Sequence, residues 1–258
     1  MLKSRLCIAF FAFAVGCAPA QKPLTDYVNP MLGTATLWDS VDLGFKPTKR
    51  TWGAEVFPGS SLPNAMVQVS PVTKFHSGAG YQYEDSVIYG FTHTNKGHWN
   101  LCHIPLLPVT GTPTPGDYCS PFSHERESAA PGYYQVFLDR YGVDAQLSST
   151  LRCAFHKYTY PAGAAPAVLA DLQRSNEHVR AWDIRKEGDN VFAGWQQTGE
   201  KMYFYAVANR PVTGIEPVVE GDREVRIVRF GEGDGALELR IGFSFVSEKN
   251  ARENFEAE

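Results

Sequence analysis

Arg223-Glu224-Val225-Arg226-Ile227-Val228-Arg229-Phe230 alternates charged and apolar side chains, and Ala236-Leu237-Glu238-Leu239-Arg240-Ile241 repeats the pattern after the loop Gly231-Glu232-Gly233-Asp234-Gly235. A period of two sends successive side chains to opposite faces, so each run reads as an antiparallel strand with one face packed and one in water. The alternation recurs upstream from about Tyr133, in Arg152 to Tyr160, His178 to Lys186 and Lys201 to Ala208. Gly188-Asp189-Asn190, Thr198-Gly199-Glu200 and Glu220-Gly221-Asp222 stand between the runs as turn signals. Away from the two ends, no stretch carries a helical period. Strands at this spacing without helical crossovers predict an all-β fold, a large antiparallel β-sandwich.

The Gly-rich loop 231–235 is read as a hairpin turn. No Lys-Ser/Thr and no helix follow it, and its carboxylates would repel a phosphate. Between Pro30 and Gly132 the strands shorten, with Met66 to Ser70, Val87 to Thr92 and Ile104 to Val109 as candidates, and the loops lengthen. A sandwich accommodates such loops at one end or across one face.

The N-terminus carries Lys3 and Arg5 ahead of the apolar run Leu6 to Val15, too short to span a bilayer, and is read as a signal peptide over residues 1–20. Two endings compete. Ala14-Val15-Gly16-Cys17 resembles a lipobox, which would end the signal at residue 16 and lipidate Cys17. Ala18-Pro19-Ala20 has the small residues of an ordinary cleavage site. Both predict export, to the bacterial periplasm or to an outer-membrane lipid anchor. Of the five Cys, Cys102, Cys119 and Cys153 lie beyond the signal; a Cys102–Cys119 bridge and buried thiols are both open readings. At the other end Ser247 can cap a helix over Glu248 to Glu258, with Ala251 and Phe255 four apart. The domain organisation is thus a signal, a β-sandwich over 23–246 and the start of a linker helix over 247–258.

The 258 residues carry 24 basic and 28 acidic side chains, a net charge of −4, spread without blocks. Nothing attracts a phosphate backbone, so nucleic acid is excluded as a partner. Carbohydrate or another small polar ligand fits better, because Trp52 to Gly111 mixes aromatic, imidazole and amide groups in polar loops. Phe57 and Trp99 have flat faces that can stack on sugar, and Trp99 stands between His98 and Asn100 rather than in an alternating strand. His93 and His98 suit a polyol as donors and acceptors, whereas His103 opens an apolar run and reads as structural. The spacing of the three His does not specify a zinc site, and no metal ligands are assigned. Glycoside hydrolysis ordinarily needs two carboxylates. Glu84 and Asp85, taken as neighbours on one strand, would point oppositely, and Asp39 and Glu55 sit in loops; no catalytic pair emerges.

Three ordered motifs carry a family resemblance. They are Asp26-Tyr27-Val28-Asn29-Pro30-Met31-Leu32-Gly33-Thr34; Val56-Phe57-Pro58-Gly59-Ser60-Ser61-Leu62-Pro63-Asn64-Ala65-Met66-Val67-Gln68-Val69-Ser70-Pro71; and Gly80-Tyr81-Gln82-Tyr83 with Ile88-Tyr89-Gly90-Phe91-Thr92-His93-Thr94. Together they resemble the N-terminal domain of glycoside hydrolase family 92, calcium-dependent exo-acting α-mannosidases, typically α-1,2-specific. The resemblance implies a supersandwich joined by a helical linker to an (α/α)6 barrel that supplies the acid, the base of an inverting reaction and most of the Ca2+ contacts. It implies an α-mannoside or mannose-containing glycan as partner, and an aromatic residue on the leaving sugar, best matched by Trp99. Catalytic residues are then expected in a C-terminal domain outside this chain. The chain departs from the family where Asn95-Lys96-Gly97-His98-Trp99-Asn100-Leu101-Cys102-His103 replaces the usual Leu-Ser-Gly continuation, and in the segment Trp38 to Arg50. The other readings are a free-standing carbohydrate-binding module and a purely structural surface domain.

Overall fold

The computed structural model describes residues 22–36, 44, 56–96 and 99–258. Among these, the strands form two large antiparallel sheets and two short ribbons. The first sheet has the order β1 (Ser60–Ser61), β2 (Gln68–Val72), β4 (Gly90–Thr92), β7 (Leu106–Val109), β13 (Ala167–Ala170), β18 (Arg223–Phe230) and β17 (Val212–Glu220). The second has the order β14 (Ala181–Lys186), β15 (Val191–Gln197), β16 (Lys201–Ala208), β19 (Leu237–Ser244), β12 (Cys153–Thr159), β11 (Val143–Ser149), β10 (Tyr133–Leu138) and β9 (Glu127–Ala130). The ribbons pair β3 (Val87–Ile88) with β8 (Ser120–Pro121), and β5 (Asn95–Lys96) with β6 (Trp99–Asn100). This is the all-β sandwich that the alternation predicts.

The core lies between the sheets. In β16 Met202, Phe204, Ala206 and Ala208 are buried while Lys201, Tyr203, Tyr205 and Val207 are not, and β10 buries Tyr134, Val136 and Leu138 in the same rhythm. Burying a Phe or Leu side chain removes roughly 1.5–3 kcal/mol of unfavourable hydration, so these rows supply much of the driving force. Alternation fails where both faces are covered: all four residues of β13 and of β7 are buried. The predicted strand from Val87 to Thr92 is two, β3 in a ribbon and β4 in the first sheet. Tyr89 separates them, and β4 opens on Gly90, whose φ of 155° lies in a region side chains avoid. The predicted strand from His178 begins only at Ala181, leaving residues 178–180 outside the sheet.

After β19 the chain enters α1 (Glu248–Ala257). Ser247 Oγ accepts from Asn250 N at 3.1 Å, and Glu248 takes both Nη groups of Arg185 at 3.0 and 2.6 Å. The helix lies on β19 because Gly242 presents no side chain; a Cβ there would sit 2.3 Å from the Ala251 carbonyl oxygen and 2.7 Å from Phe255 Cβ. Asn254 Nδ2 donates to the Phe243 carbonyl at 2.7 Å and fixes the height of the contact. Cys102, Cys119 and Cys153 are free thiols, the first and last buried. Among the described residues, no helix is long and apolar enough to cross a membrane.

Two buried clusters of titratable side chains anchor the interior. Glu127 accepts from the Tyr81 and Tyr134 hydroxyls at 3.0 and 2.6 Å and lies 2.6 Å from His124 Nδ1. His93 and His156 meet Nε2 to Nε2 at 3.1 Å, fully enclosed, with the Tyr158 hydroxyl 2.5 Å from His156 Nδ1. A hydrogen bond between two Nε2 atoms requires an unprotonated acceptor nitrogen on one ring, and the enclosure of both rings disfavours a charge on either. Burial pushes His93 down to about 3, and burial followed by the proximity of His93 holds His156 well below its usual value.

Two outcomes follow from these contacts. Gly242→Ala should lower stability by about 1–3 kcal/mol, the cost of overpacking a close contact, and should speed proteolysis within α1; unchanged urea unfolding would count against the seating of the helix. Below pH 6.5 the unfolded chain takes up protons that the enclosed rings refuse. Stability should therefore fall with pH by about 1.4 kcal/mol per unit for each histidine, a loss continuing towards the depressed native values. Urea midpoints between pH 7 and 5 measure the slope, and His156→Gln should flatten it.

Candidate functional site

The short ribbon β5–β6 carries an exposed aromatic side chain. Asn95 pairs with Asn100 and Lys96 with Trp99 in an antiparallel register, and Trp99 is 41% exposed. Trp99 thus lies in a paired strand of two residues rather than in a free loop. Asn100, its neighbour, is wholly buried and points its side chain inward. Its Oδ1 accepts from Cys102 N at 2.7 Å, and its Nδ2 donates to Thr92 Oγ1 at 3.2 Å. Gly80, at φ 78°, makes room: a Cβ there would stand 2.7 Å from Asn100 Nδ2.

Beyond Asn100 the chain takes an unusual path. Cys102 and Ile104 hold φ of 54° and 52°, a left-handed geometry that side chains seldom adopt. Such strain persists where surrounding bonds over-determine it. Ile104 N donates to Gln196 Oε1 at 2.8 Å, and Leu101 N donates to the Thr94 carbonyl at 3.1 Å. Between the two strained residues, His103 is held by Thr94 Oγ1 at 2.9 Å and Thr198 Oγ1 at 3.0 Å. Burial lowers its pKa, opposed by Glu177 3.5 Å away.

A second segment is tied to this platform. Asn176 Nδ2 donates to the Asn100 carbonyl at 2.6 Å, Asn176 N to the Leu101 carbonyl at 3.0 Å and Ser175 Oγ to the same carbonyl at 2.6 Å. Gln196 Nε2 completes the brace by donating to the carbonyls of Leu172 and Arg174 at 3.0 and 2.9 Å. Residues 173–175 and 177–182, with His76 and with Asp222 and Arg223 where β17 turns into β18, line a groove of about 850 Å³. Nothing in the sequence reading singled out this groove. The sequence reading instead extends the strand back to His178, whereas the chain joins β14 only at Ala181.

The sequence-predicted residues are thus dispersed. Trp99 is exposed and Asn100 supports it from beneath. His93 lies inside the sandwich against His156. Phe57 is half-buried outside any regular strand, and His98, Trp52 and the segment Trp38 to Arg50 lie outside the described residues, apart from Gly44. Glu84 and Asp85 occupy a turn rather than a strand, each with a structural partner: Thr36 N donates to Glu84 at 2.7 Å and Thr73 Oγ1 to Asp85 at 2.8 Å. Asp39, Glu55 and Cys17 are outside the described residues. Among those described, no three His, Cys, Asp or Glu side chains converge on one point.

The chain matches the glycosyl hydrolase family 92 N-terminal domain over residues 27–250. Its fold is shared with solved structures. The family GH92 alpha-mannosidase BT3965 from Bacteroides thetaiotaomicron superposes with a TM-score of 0.79 at 24% identity, over 92% of this chain and 35% of that one. The GH92 inverting mannosidase BT2199 from Bacteroides thetaiotaomicron VPI-5482 gives 0.73 at 23% identity, over 92% and 34%. The GH92 glycosyl hydrolase ccman5 gives 0.70 at 24%, over 89% and 33%. The chain therefore spans about a third of the length of these relatives. No curated protein matches it significantly. The match over residues 27–250 covers most of the chain, its fold is that of solved family members, and the chain belongs to glycosyl hydrolase family 92, whose N-terminal domain it carries.

Proposed function

We propose that this domain, over residues 23–246, shapes the leaving-sugar side of the cleft in an exported α-mannosidase that removes terminal α-linked mannose with inversion. The observation that carries the proposal is Trp99, an exposed ring on a short ribbon whose other strand residue, Asn100, is buried and hydrogen-bonded beneath it. An indole face exposed to water suits the apolar face of a sugar. His98 and Phe57 complete the surface in this reading, with Asn100 setting its geometry and His93 acting from below through packing. The names of the solved relatives support mannoside chemistry.

The general acid, the base and the Ca2+ site belong, in this proposal, to a helical catalytic domain of the same protein joined through α1. Glu84 and Asp85 are occupied structurally, which leaves them unsuited to a hydrolytic pair. The mature protein is placed in the periplasm or on a lipid anchor at Cys17, on the strength of the N-terminal sequence.

In the protein carrying both domains, Trp99→Ala should cut kcat/KM on a mannobiose by about tenfold, the scale of a lost aromatic contact. It should change turnover of an activated aryl mannoside far less, because that substrate has no leaving sugar to stack. Equal effects on both substrates, or none on either, would sink the assignment. The 258-residue chain alone should show no α-mannosidase turnover; turnover abolished by Glu55→Gln or Glu84→Gln would place the chemistry here instead. Saturable binding of mannobiose to the chain alone, read by calorimetry, would favour a self-sufficient binding module.

A further inference from the structure

The ribbon that carries Trp99 has two faces, and its register assigns them. Asn95 pairs with Asn100 and Lys96 with Trp99. Side chains alternate along a strand and directly opposed residues share a face, so Asn95 and Asn100 form one face and Lys96 and Trp99 the other. The first is turned inward: Asn100 is wholly buried, and both polar atoms of the Asn95 side chain are enclosed. The second is turned to water, with Lys96 exposed and Trp99 exposed beside it. A slip of one residue would exchange the faces and bury the Lys96 ammonium, a costly outcome that fixes the register. Asn100 holds the same arrangement from beneath, since its N donates to the Gly78 carbonyl at 2.9 Å.

Elsewhere in the sandwich, tryptophan rings are capped by cations. Lys201 Nζ stands 3.7 Å from the Trp195 ring centroid, and the Arg226 guanidinium 5.2 Å from that of Trp182. Among the described residues no cation is stacked on Trp99, so Lys96 flanks the indole without covering it. A pyranose lying on an aromatic ring keeps its hydroxyls at its own edge, where a donor at the rim of the platform meets them. An ammonium suits that place. It offers three donors and no acceptor, on a flexible stem that follows a hydroxyl oxygen more readily than a planar guanidinium does.

We propose that Lys96 is a specificity-determining residue of the leaving-sugar side, its ammonium donating to a hydroxyl oxygen of the neutral sugar stacked on Trp99. The bond is charge-assisted from the donor alone and needs no anionic substituent on the glycan. It also sorts linkages. Each glycosidic linkage consumes a different hydroxyl of the leaving sugar and turns the ring differently on the indole, so the ammonium meets a good acceptor in some isomers and none in others. The inference rests on the reading of Trp99 as the surface under the leaving sugar.

Kinetics of the protein carrying both domains test it. Lys96→Met keeps the apolar stem and removes the donor. It should lower kcat/KM on the preferred α-linked mannobiose by about tenfold, the scale of one hydrogen bond to a charged group. It should leave an activated aryl mannoside unchanged and narrow the spread of rates among the linkage isomers of mannobiose. Lys96→Arg should restore part of the loss. Mannobioses lacking single hydroxyls of the leaving sugar identify the acceptor: one deoxygenation should slow the parent about tenfold and slow Lys96→Met no further. Lys96 is exposed, so unfolding curves of both variants should match that of the parent. An unchanged mannobiose rate in Lys96→Met, an equal loss on the aryl mannoside, or a full further loss in Lys96→Met for every deoxygenated sugar would each overturn the proposal. The two readings fail separately. A selective loss in Trp99→Ala without one in Lys96→Met removes this inference alone, whereas no loss in either variant removes the leaving-sugar reading and this inference with it.

Discussion

Buried backbone must find hydrogen-bond partners, and in this sandwich the loops bury a great deal of it. Strands satisfy one another through the ladder, but the chain between β4 and β7 has only two paired residues on each side of its ribbon to offer. Asn100, Asn176, Gln196 and Ser175 make up the difference. Asn176, Gln196 and Ser175 each reach a main-chain group of another segment with an amide or hydroxyl, over sequence separations of 22 to 92 residues, and Asn100 braces Cys102 N within its own loop. Remove one such side chain and a carbonyl or N–H is left dry, at a cost of about 1–3 kcal/mol. The left-handed turns at Cys102 and Ile104 exist because these bonds outweigh their strain. The position of Trp99 and the wall of the groove are consequences of the same set.

This explains which parts of the molecule were legible in the sequence. β16 and β18 were read to the residue, because alternation reports one buried face and both strands have one. β13 escaped, since Ala167-Val168-Leu169-Ala170 is buried on both faces and shows no rhythm. β17 escaped for the opposite reason: it is an edge strand, mostly exposed, with Pro217 and Gly214 inside it. The capped helix was legible because Ser247 and Glu248 act within a single turn. His93 looked like a ligand group because its flanking threonines suggested a polar face; the alternation was real, but its inner face carried imidazoles paired with each other.

The site divides along the same line. Local chemistry, an aromatic ring between polar neighbours, made Trp99 visible. Motif resemblance named the family because its Pro-Gly and His-Thr turns are close in sequence. The groove has neither advantage. Its walls come from residues 76, 173–175, 177–182 and 222–223, brought together by Asn176 and Gln196, and no short-range pattern encodes a meeting of three distant segments. A side chain committed to such a meeting reads in sequence as one more polar residue.

The rigid support and the open face have different energetic standing. Asn100, His103, Gln196 and Thr198 are all buried and satisfied, so substitutions there act on folding before they act on ligands. Trp99, Arg180 and His178 hold almost none of the structure, so they can change at little cost to stability. Within residues 95–103, Trp99 is exposed while Asn100 and His103 carry the bracing bonds. A platform built this way keeps its shape while its surface chemistry is exchanged. In such a domain, a difference in glycan preference between relatives is expected to reside in these few exposed side chains, and the sandwich beneath them need not register it.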